Sequence, residues 1–186
     1  MTTQKVIKQK KKWFMAIAPE IYKSKEIAEI PAFEPDNLLG RRVEVNLMQL
    51  TGVPKDQQKK VLLRVTEVKG EKAYTIPSMF YLVDGYIQRS ARKYKERFIR
   101  VLTVKTKDGK SAIIKYSVMA EKKLHQKVRA HILKDMEAKT IARIGEINAF
   151  DLFIPGTLDK MATEIKKEVR YIYPLDKLQV WKLTII

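Results

Sequence analysis

The first fourteen residues combine dense positive charge with two adjacent aromatic side chains. Five lysines and no acidic residue precede Trp13 and Phe14, namely Lys5, Lys8, Lys10, Lys11 and Lys12. Lysine ammonium groups neutralise phosphates and release their counterions, whereas exposed aromatic rings stack on unpaired bases. We therefore predict that residues 1–12 form a disordered basic arm that binds nucleic acid, with the aromatic pair fixing where the arm leaves the folded body. A tail that only raises solubility is the alternative interpretation.

A second basic stretch lies in the middle of the chain. Residues 84–143 hold 17 basic residues against 6 acidic ones, an excess of 11 positive charges. Arginine guanidinium groups match the geometry of phosphate oxygens, so the densest part, residues 89–97, favours nucleic-acid binding. The residues that we expect to make contacts here are Arg89, Arg92, Lys93, Lys95, Arg97, Arg100, Lys122, Lys123, Lys127 and Arg129. A solvated face, or a basic amphipathic helix lying on a membrane, would show the same composition.

The charge of the whole chain indicates the kind of partner. Its 186 residues include 38 basic and 21 acidic ones, a net charge of +17. A net charge of this size indicates which partners a protein binds rather than which fold it adopts. The candidate partners are nucleic acid, an anionic membrane surface and an acidic protein. No apolar run approaches the roughly 20 residues that a membrane-spanning helix needs. No long apolar segment follows the first lysines, so we expect neither a secretory signal nor a membrane partner.

The sequence offers no pattern that predicts catalysis or metal binding. It contains no cysteine, which excludes thiolate metal ligands and cysteine nucleophiles. The two histidines, His125 and His131, are six residues apart, so they point in different directions on a helix. Glycine-rich phosphate loops and the short motifs of serine hydrolases and zinc proteases are absent, and Asp108 in the segment KDGK is typical of a turn. We therefore predict a protein that is not an enzyme and has no cofactor or metal.

Hydrophobic periodicity predicts one α+β domain over residues 13–186, with a mostly antiparallel sheet or barrel and added helices. The predicted strands are 41–47, 61–68, 73–76, 97–106, 111–119 and 179–186, and a hairpin turn is expected at Asp108 and Gly109. The predicted helices are 84–93, 121–143, a short one opening at Asn148, and 158–170. We expect residues 13–21 to be an extended segment docked on this body, residues 22–40 to be a loop and residues 51–60 to be a polar turn.

Several segments of the chain together resemble a known protein family. They are KKWF and IAPEIY near the start, LGRRVEVNLMQLTG, RSARKY and TKDG in the middle, and IYPLDKLQVWK near the end. In their order and spacing, from about residue 11 to residue 183, they resemble the small-subunit ribosomal protein family of archaea and eukaryotes called S-three-A-e. The chain stops directly after its last predicted strand, which is similar to the archaeal members.

The resemblance implies a structural protein with a β-barrel-like body that binds rRNA on the platform of the small ribosomal subunit, near the mRNA exit and the 3′ end of the rRNA. It also implies contacts with neighbouring ribosomal proteins and with mRNA near the exit, a cytoplasmic, ribosome-bound location and no homo-oligomer. The residues that it assigns to rRNA contacts are Lys11, Lys12 and Trp13 near the N-terminus, Arg41 and Arg42 at the first strand of the body, and Arg89, Arg92 and Lys93 in a basic helix. A free-standing nucleic-acid-binding protein or an RNA chaperone is the alternative.

Overall fold

Strands and helices alternate irregularly along the chain, as expected for the α+β class. The computed structural model describes residues 10–90 and 95–186. Eight strands lie in these residues: β1 (Lys12–Ile17), β2 (Glu26–Ala32), β3 (Arg42–Asn46), β4 (Lys59–Lys69), β5 (Lys72–Leu82), β6 (Glu96–Lys105), β7 (Ser111–Ala120) and β8 (Leu175–Ile185). The α-helices among them are α1 (Leu47–Thr51), α2 (Asp84–Ser90), α3 (Gln126–Glu146) and α4 (Thr157–Val169). The predicted α+β class is confirmed, with a sheet that is open rather than closed into a barrel among the described strands.

The strands form one open, branched sheet with β5 at the branch. One edge of β5 pairs with β4 along its whole length, and β4 continues to β3. The other edge of β5 is divided, because residues 72–74 pair with β1 and residues 79–81 pair with β8. From there β1 continues to β2, and β8 continues to β7 and β6. Among the described strands, β1 and β5 are the one parallel pair, so the prediction of a mostly antiparallel sheet is confirmed.

One hydrophobic core joins the two wings of the sheet. It contains inward side chains of β4, such as Leu63, together with Leu102 of β6 and Ile114 of β7. Helix α3 lies against this core through Ile132, Met136, Thr140 and Ile144, which are all buried and spaced four residues apart. That spacing places them on one side of the helix, as the sequence predicted. Helix α4 covers the core in the same way through Leu158, Met161, Ala162, Ile165 and Val169.

A second, smaller core holds the N-terminal strand in place. Phe14 of β1 packs there with Ala32, Leu38, Val65 and Ala73, all of them buried. The strand is further fixed because the hydroxyl of Thr75 donates a hydrogen bond to the carbonyl of Ile17 at 2.7 Å. The prediction of an extended segment docked on the body is therefore confirmed. Lys12, the last residue of the predicted arm, is the first residue of β1.

Two predictions about loops and strand lengths are wrong. Residues 22–40 are not entirely loop, because residues 26–32 form β2 and pair with β1 despite Pro31. Pro31 is tolerated because β2 is an edge strand, where a missing N–H leaves no neighbour without a partner. Strand β5 was predicted only over residues 73–76, yet it runs on to Leu82. Pro77 interrupts this run, and a bulge within β5 itself accommodates the proline, because Leu63 pairs with Pro77 and Leu62 with Met79, which leaves Ser78 as the extra residue.

Smaller differences concern the ends of elements. The predicted turn at residues 51–60 contains the end of α1 and a short 3₁₀-helix, Pro54–Asp56. Helix α3 begins at Gln126 rather than at residue 121, because His125 caps it and its Nδ1 accepts a hydrogen bond from the N–H of Lys127 at 3.4 Å. At Asn148 the side chain pairs with the Asp151 carboxylate at 2.9 Å and caps no helix; a 3₁₀-helix, Asp151–Phe153, follows. Residues 91–93, the end of the helix predicted over 84–93, lie outside the described residues.

Candidate nucleic-acid interface

The outward face of β1 presents an aromatic ring beside the N-terminal lysines. Side chains alternate along a strand, so Phe14 is buried at 3% exposure whereas its neighbour Trp13 is 61% exposed. Trp13 lies opposite Pro31 in the β1–β2 pair. The Lys11 ammonium lies 5.6 Å from the centre of the Phe33 ring, which is itself exposed. Exposed aromatic rings next to ammonium groups have the composition of a surface that binds single-stranded nucleic acid.

Three arginines extend this surface across β3 and β4. Arg42 lies directly opposite Arg64 in the antiparallel β3–β4 pair, and both side chains are exposed. Arg41 donates a hydrogen bond from Nη1 to the carbonyl of Pro31 at 3.0 Å, which ties the arginines to β2. Like charges directly opposite each other on neighbouring strands destabilise a sheet, and an anion lying between them removes that cost. The geometry therefore favours a bound phosphate at this position.

We call this region the N-terminal basic surface and define it by eight residues. They are Lys10, Lys11, Lys12, Trp13, Phe33, Arg41, Arg42 and Arg64. Within residues 10–90 and 95–186, none of its six cationic side chains forms an ion pair with a carboxylate, although eleven such contacts occur elsewhere. Their charge is therefore not neutralised by that part of the fold. Arg64 was not among the predicted contact residues, because in the sequence it is an isolated charge within a strand.

Three other predicted contact residues are engaged within the fold. Lys95 contacts Asp176 at 2.6 Å, Arg129 contacts Glu96 at 3.2 Å, and Arg100 pairs with Glu137. The last two pairs join β6 to α3. A guanidinium that already faces a carboxylate has less net charge to offer a phosphate. Charge density in the sequence could not separate such residues from free ones, because their acidic partners are distant in the chain.

The remaining predicted contact residues are exposed, bonded within their own helix, or outside the described residues. Arg97, Lys122, Lys123 and Lys127 are exposed and form no ion pair with described residues, while Arg89 donates from Nε to its own helix at the carbonyl of Gly85. Lys5, Lys8, Arg92 and Lys93 lie outside the described residues. The predicted set is not one continuous patch, because β1 and β6 lie on opposite wings of the branched sheet.

The described residues hold no metal-binding cluster beside these surfaces. Among them, no group of three or more His, Cys, Asp or Glu side chains is arranged to hold a metal ion. Asp108 is a turn residue as predicted, since it precedes Gly109 with φ +74° and its carboxylate accepts a hydrogen bond from the N–H of Ala149 at 3.2 Å. In the same part of the chain, no helix combines the length and the apolar character that crossing a membrane requires.

Comparison with known proteins gives a consistent result over nearly the whole chain. A family model described as the Ribosomal S3Ae family matches residues 4–186. The small ribosomal subunit protein eS1 of Thermoplasma acidophilum is 30% identical over 178 residues, which cover 96% of this chain and 83% of that protein. The eS1 protein of Archaeoglobus fulgidus is 28% identical, covering 95% and 84%. That of Methanobrevibacter smithii is also 28% identical, covering 96% and 92%.

Proposed function

This chain belongs to the ribosomal S3Ae family, and on that premise we propose that it is a structural constituent of the small ribosomal subunit that binds small-subunit rRNA. We further propose that it lies on the platform of the subunit near the mRNA exit, in contact with neighbouring ribosomal proteins and mRNA. Its location is then the cytoplasm, bound to ribosomes, and it acts as a binding protein rather than an enzyme. The names of its relatives, small ribosomal subunit proteins, support this role.

The observation that carries the proposal is the unpaired charge of the N-terminal basic surface. This surface holds six cationic side chains and two exposed aromatic rings. None of the six forms an ion pair with a carboxylate of the described residues. Arg42 and Arg64 face each other across two strands at an electrostatic cost to the free protein. A phosphodiester backbone that lies between them would replace this repulsion with two favourable contacts.

The surface suits RNA by the kind of contact it can make. Lysine and arginine bind phosphate oxygens without reading base identity, and Trp13 offers a ring on which one unpaired base can stack. Recognition of folded RNA depends on shape, backbone and stacked bases rather than on the edges of a deep groove. We therefore expect the protein to select a folded site in rRNA and to hold it chiefly by backbone contacts.

The test is direct binding of the purified chain to protein-free archaeal small-subunit rRNA in competition with an unrelated structured RNA of equal length. We expect the rRNA to bind at least about 100-fold more tightly at 0.15 M salt, because non-specific electrostatic binding is weak there. Equal affinity for the two RNAs would contradict an rRNA-specific role. It would instead favour the free-standing nucleic-acid-binding protein or RNA chaperone.

A further inference from the structure

A single carboxylate at the start of β8 is surrounded by lysines. The Asp176 carboxylate accepts a hydrogen bond from Lys95 Nζ at 2.6 Å, and its backbone carbonyl accepts one from Lys166 Nζ, also at 2.6 Å. The hydrogen bond from Lys95, together with the charges of Lys95, Lys177 and Lys166, holds the pKa of Asp176 below its usual range. One negative charge thus faces three positive ones, and a net positive charge remains.

Two cavities flank this point, and both have cationic walls. The first, about 320 Å³ in volume, lies between α4 and the start of β8 and is lined by Lys166, Lys167 and Arg170. The second, about 350 Å³, lies beside the end of α2 and is lined by Arg89 and Lys177. No carboxylate is among the described residues that line either cavity. We call these two cavities and the β8 segment between them the β8 cleft.

Neighbouring strands add further positive charge at the same end of the sheet. Arg97 of β6 and Lys177 of β8 both pair with Met119 of β7, so they lie on either side of one position in the sheet. Lys122 and Lys123, which follow Glu121 after the end of β7, are exposed. Several predicted contact residues that seemed scattered in the sequence therefore gather here with Lys166, Lys167, Arg170 and Lys177, which the sequence did not single out.

The polar groups of the cleft are suited to phosphate rather than to bases. The hydroxyls of Thr163 and Ser90, one in each cavity, already donate to the carbonyls of Asp159 and Tyr86 within their own helices. The donors left for a ligand are then mainly ammonium and guanidinium groups, which bind phosphate oxygens without reading base edges. Lysines near the end of α4 also complement the helix dipole, but that interaction requires no cavity.

We propose that the β8 cleft is a second rRNA-binding site, which holds phosphates of the RNA backbone in its two cavities. This inference rests on the proposed function, because it takes rRNA as the ligand. The N-terminal basic surface lies by β1, next to the first residues of β5, whereas the cleft lies beyond the last residues of β5. The two sites therefore engage separate segments of RNA, and the rigid sheet between them fixes the distance at which those segments are held.

The test compares two double variants that carry the same change in charge. The cleft variant is Lys167→Glu with Arg170→Glu, and the control is Lys134→Glu with Lys160→Glu; all four side chains are exposed and none forms an ion pair with described residues. Binding to protein-free archaeal small-subunit rRNA is measured between 50 and 200 mM salt (about the range in which phosphate contacts dominate). Thermal unfolding of each variant checks that the fold is retained.

We expect the cleft variant to lose at least about 10-fold in affinity and the slope of log K against log salt to become shallower by about 1.4–1.8, as for two lost phosphate contacts. The control should lose less than about 3-fold. Equal losses in the two variants would overturn the proposal. So would a cleft variant that binds rRNA normally but no longer joins small subunits, since the cleft would then contact a protein neighbour.

The same series separates this inference from the proposed function. If Arg42→Glu weakens rRNA binding and the cleft variant does not, the cleft proposal fails while the rRNA-binding role stands. If the unmodified chain shows no preference for small-subunit rRNA over unrelated RNA, the proposed function itself fails, and the cleft proposal fails with it.

Discussion

The N-terminal basic surface and the β8 cleft are both strongly cationic, but they are organised in different ways. The first is an open surface over strands β1 to β4, where two arginines face each other and two aromatic rings are exposed. The second is concave, and its lysines converge on the carboxylate and carbonyl of Asp176. One region offers charge together with stacking, and the other offers charge held in fixed positions by an internal acid.

The comparison teaches that excess charge alone does not define a binding site. Arg100 and Arg129 contribute as much to the net charge as Arg42 does, yet each faces a glutamate inside the fold. What distinguishes a candidate contact is the absence of a neighbouring carboxylate, or the presence of more cations than one carboxylate can balance. The following variants test whether the two regions behave as differently as their geometry indicates.

The largest expected effect is on stability, from Phe14→Ala. Phe14 is almost completely buried in the small core that holds β1 and β2. Its removal should lower the free energy of unfolding by about 3 kcal/mol, as measured by urea denaturation, because a cavity replaces the ring. A loss below about 1 kcal/mol would mean that the N-terminal strands are not fixed as described.

The adjacent substitution Trp13→Ala should lower rRNA affinity and leave stability nearly unchanged. Trp13 is exposed, so we expect the free energy of unfolding to change by less than about 0.5 kcal/mol. Affinity for small-subunit rRNA should fall by about 1–3 kcal/mol, the usual contribution of one stacked base. Phe150, whose ring centre lies 3.9 Å from the Lys110 ammonium, provides the control, and Phe150→Ala should leave rRNA affinity unchanged. Equal effects of the two substitutions would exclude a stacking role for Trp13.

Arg64→Glu should lower the affinity for rRNA while it raises the free energy of unfolding. The substitution replaces a like-charged pair with an opposite-charged one at the position facing Arg42, so the free energy of unfolding should rise by about 0.2–1 kcal/mol. Affinity for rRNA should nevertheless fall about 10-fold, because a phosphate contact is lost and a repulsive charge is added. Lys105→Glu on the distant strand β6 is the control. If Arg64→Glu lowers stability and leaves binding unchanged, the arginine pair serves the fold instead.

The smallest expected effect concerns pH, and it should arise at the Asp176 carboxylate of the cleft. The pKa of Asp176 is lowered in the folded protein, so the unfolded chain binds its proton more readily. This carboxylate therefore stabilises the fold above about pH 4, and its contribution disappears as the pH falls through the folded pKa. Because the pair with Lys95 is partly exposed, the contribution should stay below about 1 kcal/mol.

Asp176→Asn tests this prediction, with stability followed by thermal unfolding between about pH 2 and pH 6. The loss of stability relative to the wild type should be largest near pH 6 and should shrink as the pH falls and the folded carboxylate takes up its proton. A constant difference across this range would show that the loss arises from packing rather than from charge.

Much of the fold could be predicted because its signals are local. The Asp108–Gly109 turn between two alternating runs identified the β6–β7 hairpin, and the four-residue spacing of buried side chains identified α3. The path of β2 and the full length of β5 could not be predicted in this way. Both strands contain a proline, and whether a proline is tolerated depends on an edge position or on a bulge beside it, which only the pairing of the strands defines.

The sequence indicated the chemical character of the candidate site, but it did not identify all the residues that form it. Clustered lysines beside Trp13 indicated where the N-terminal basic surface lies. Arg64 and Lys177 were missed, because each is a single charge in a strand and gains its role only from neighbours brought near by pairing. Lys95 illustrates the converse, since its partner Asp176 is 81 residues away along the chain.

The measurement that tests the central claim most directly is a salt-washed sucrose gradient of a cell lysate, probed for this protein. At about 0.5 M salt, electrostatic attraction alone is heavily screened. We predict that the protein remains with the small subunit, because contacts of specific shape with rRNA hold it there. Release into the soluble fractions, while the other small-subunit proteins stay bound, would contradict a structural role and identify a transient nucleic-acid-binding protein.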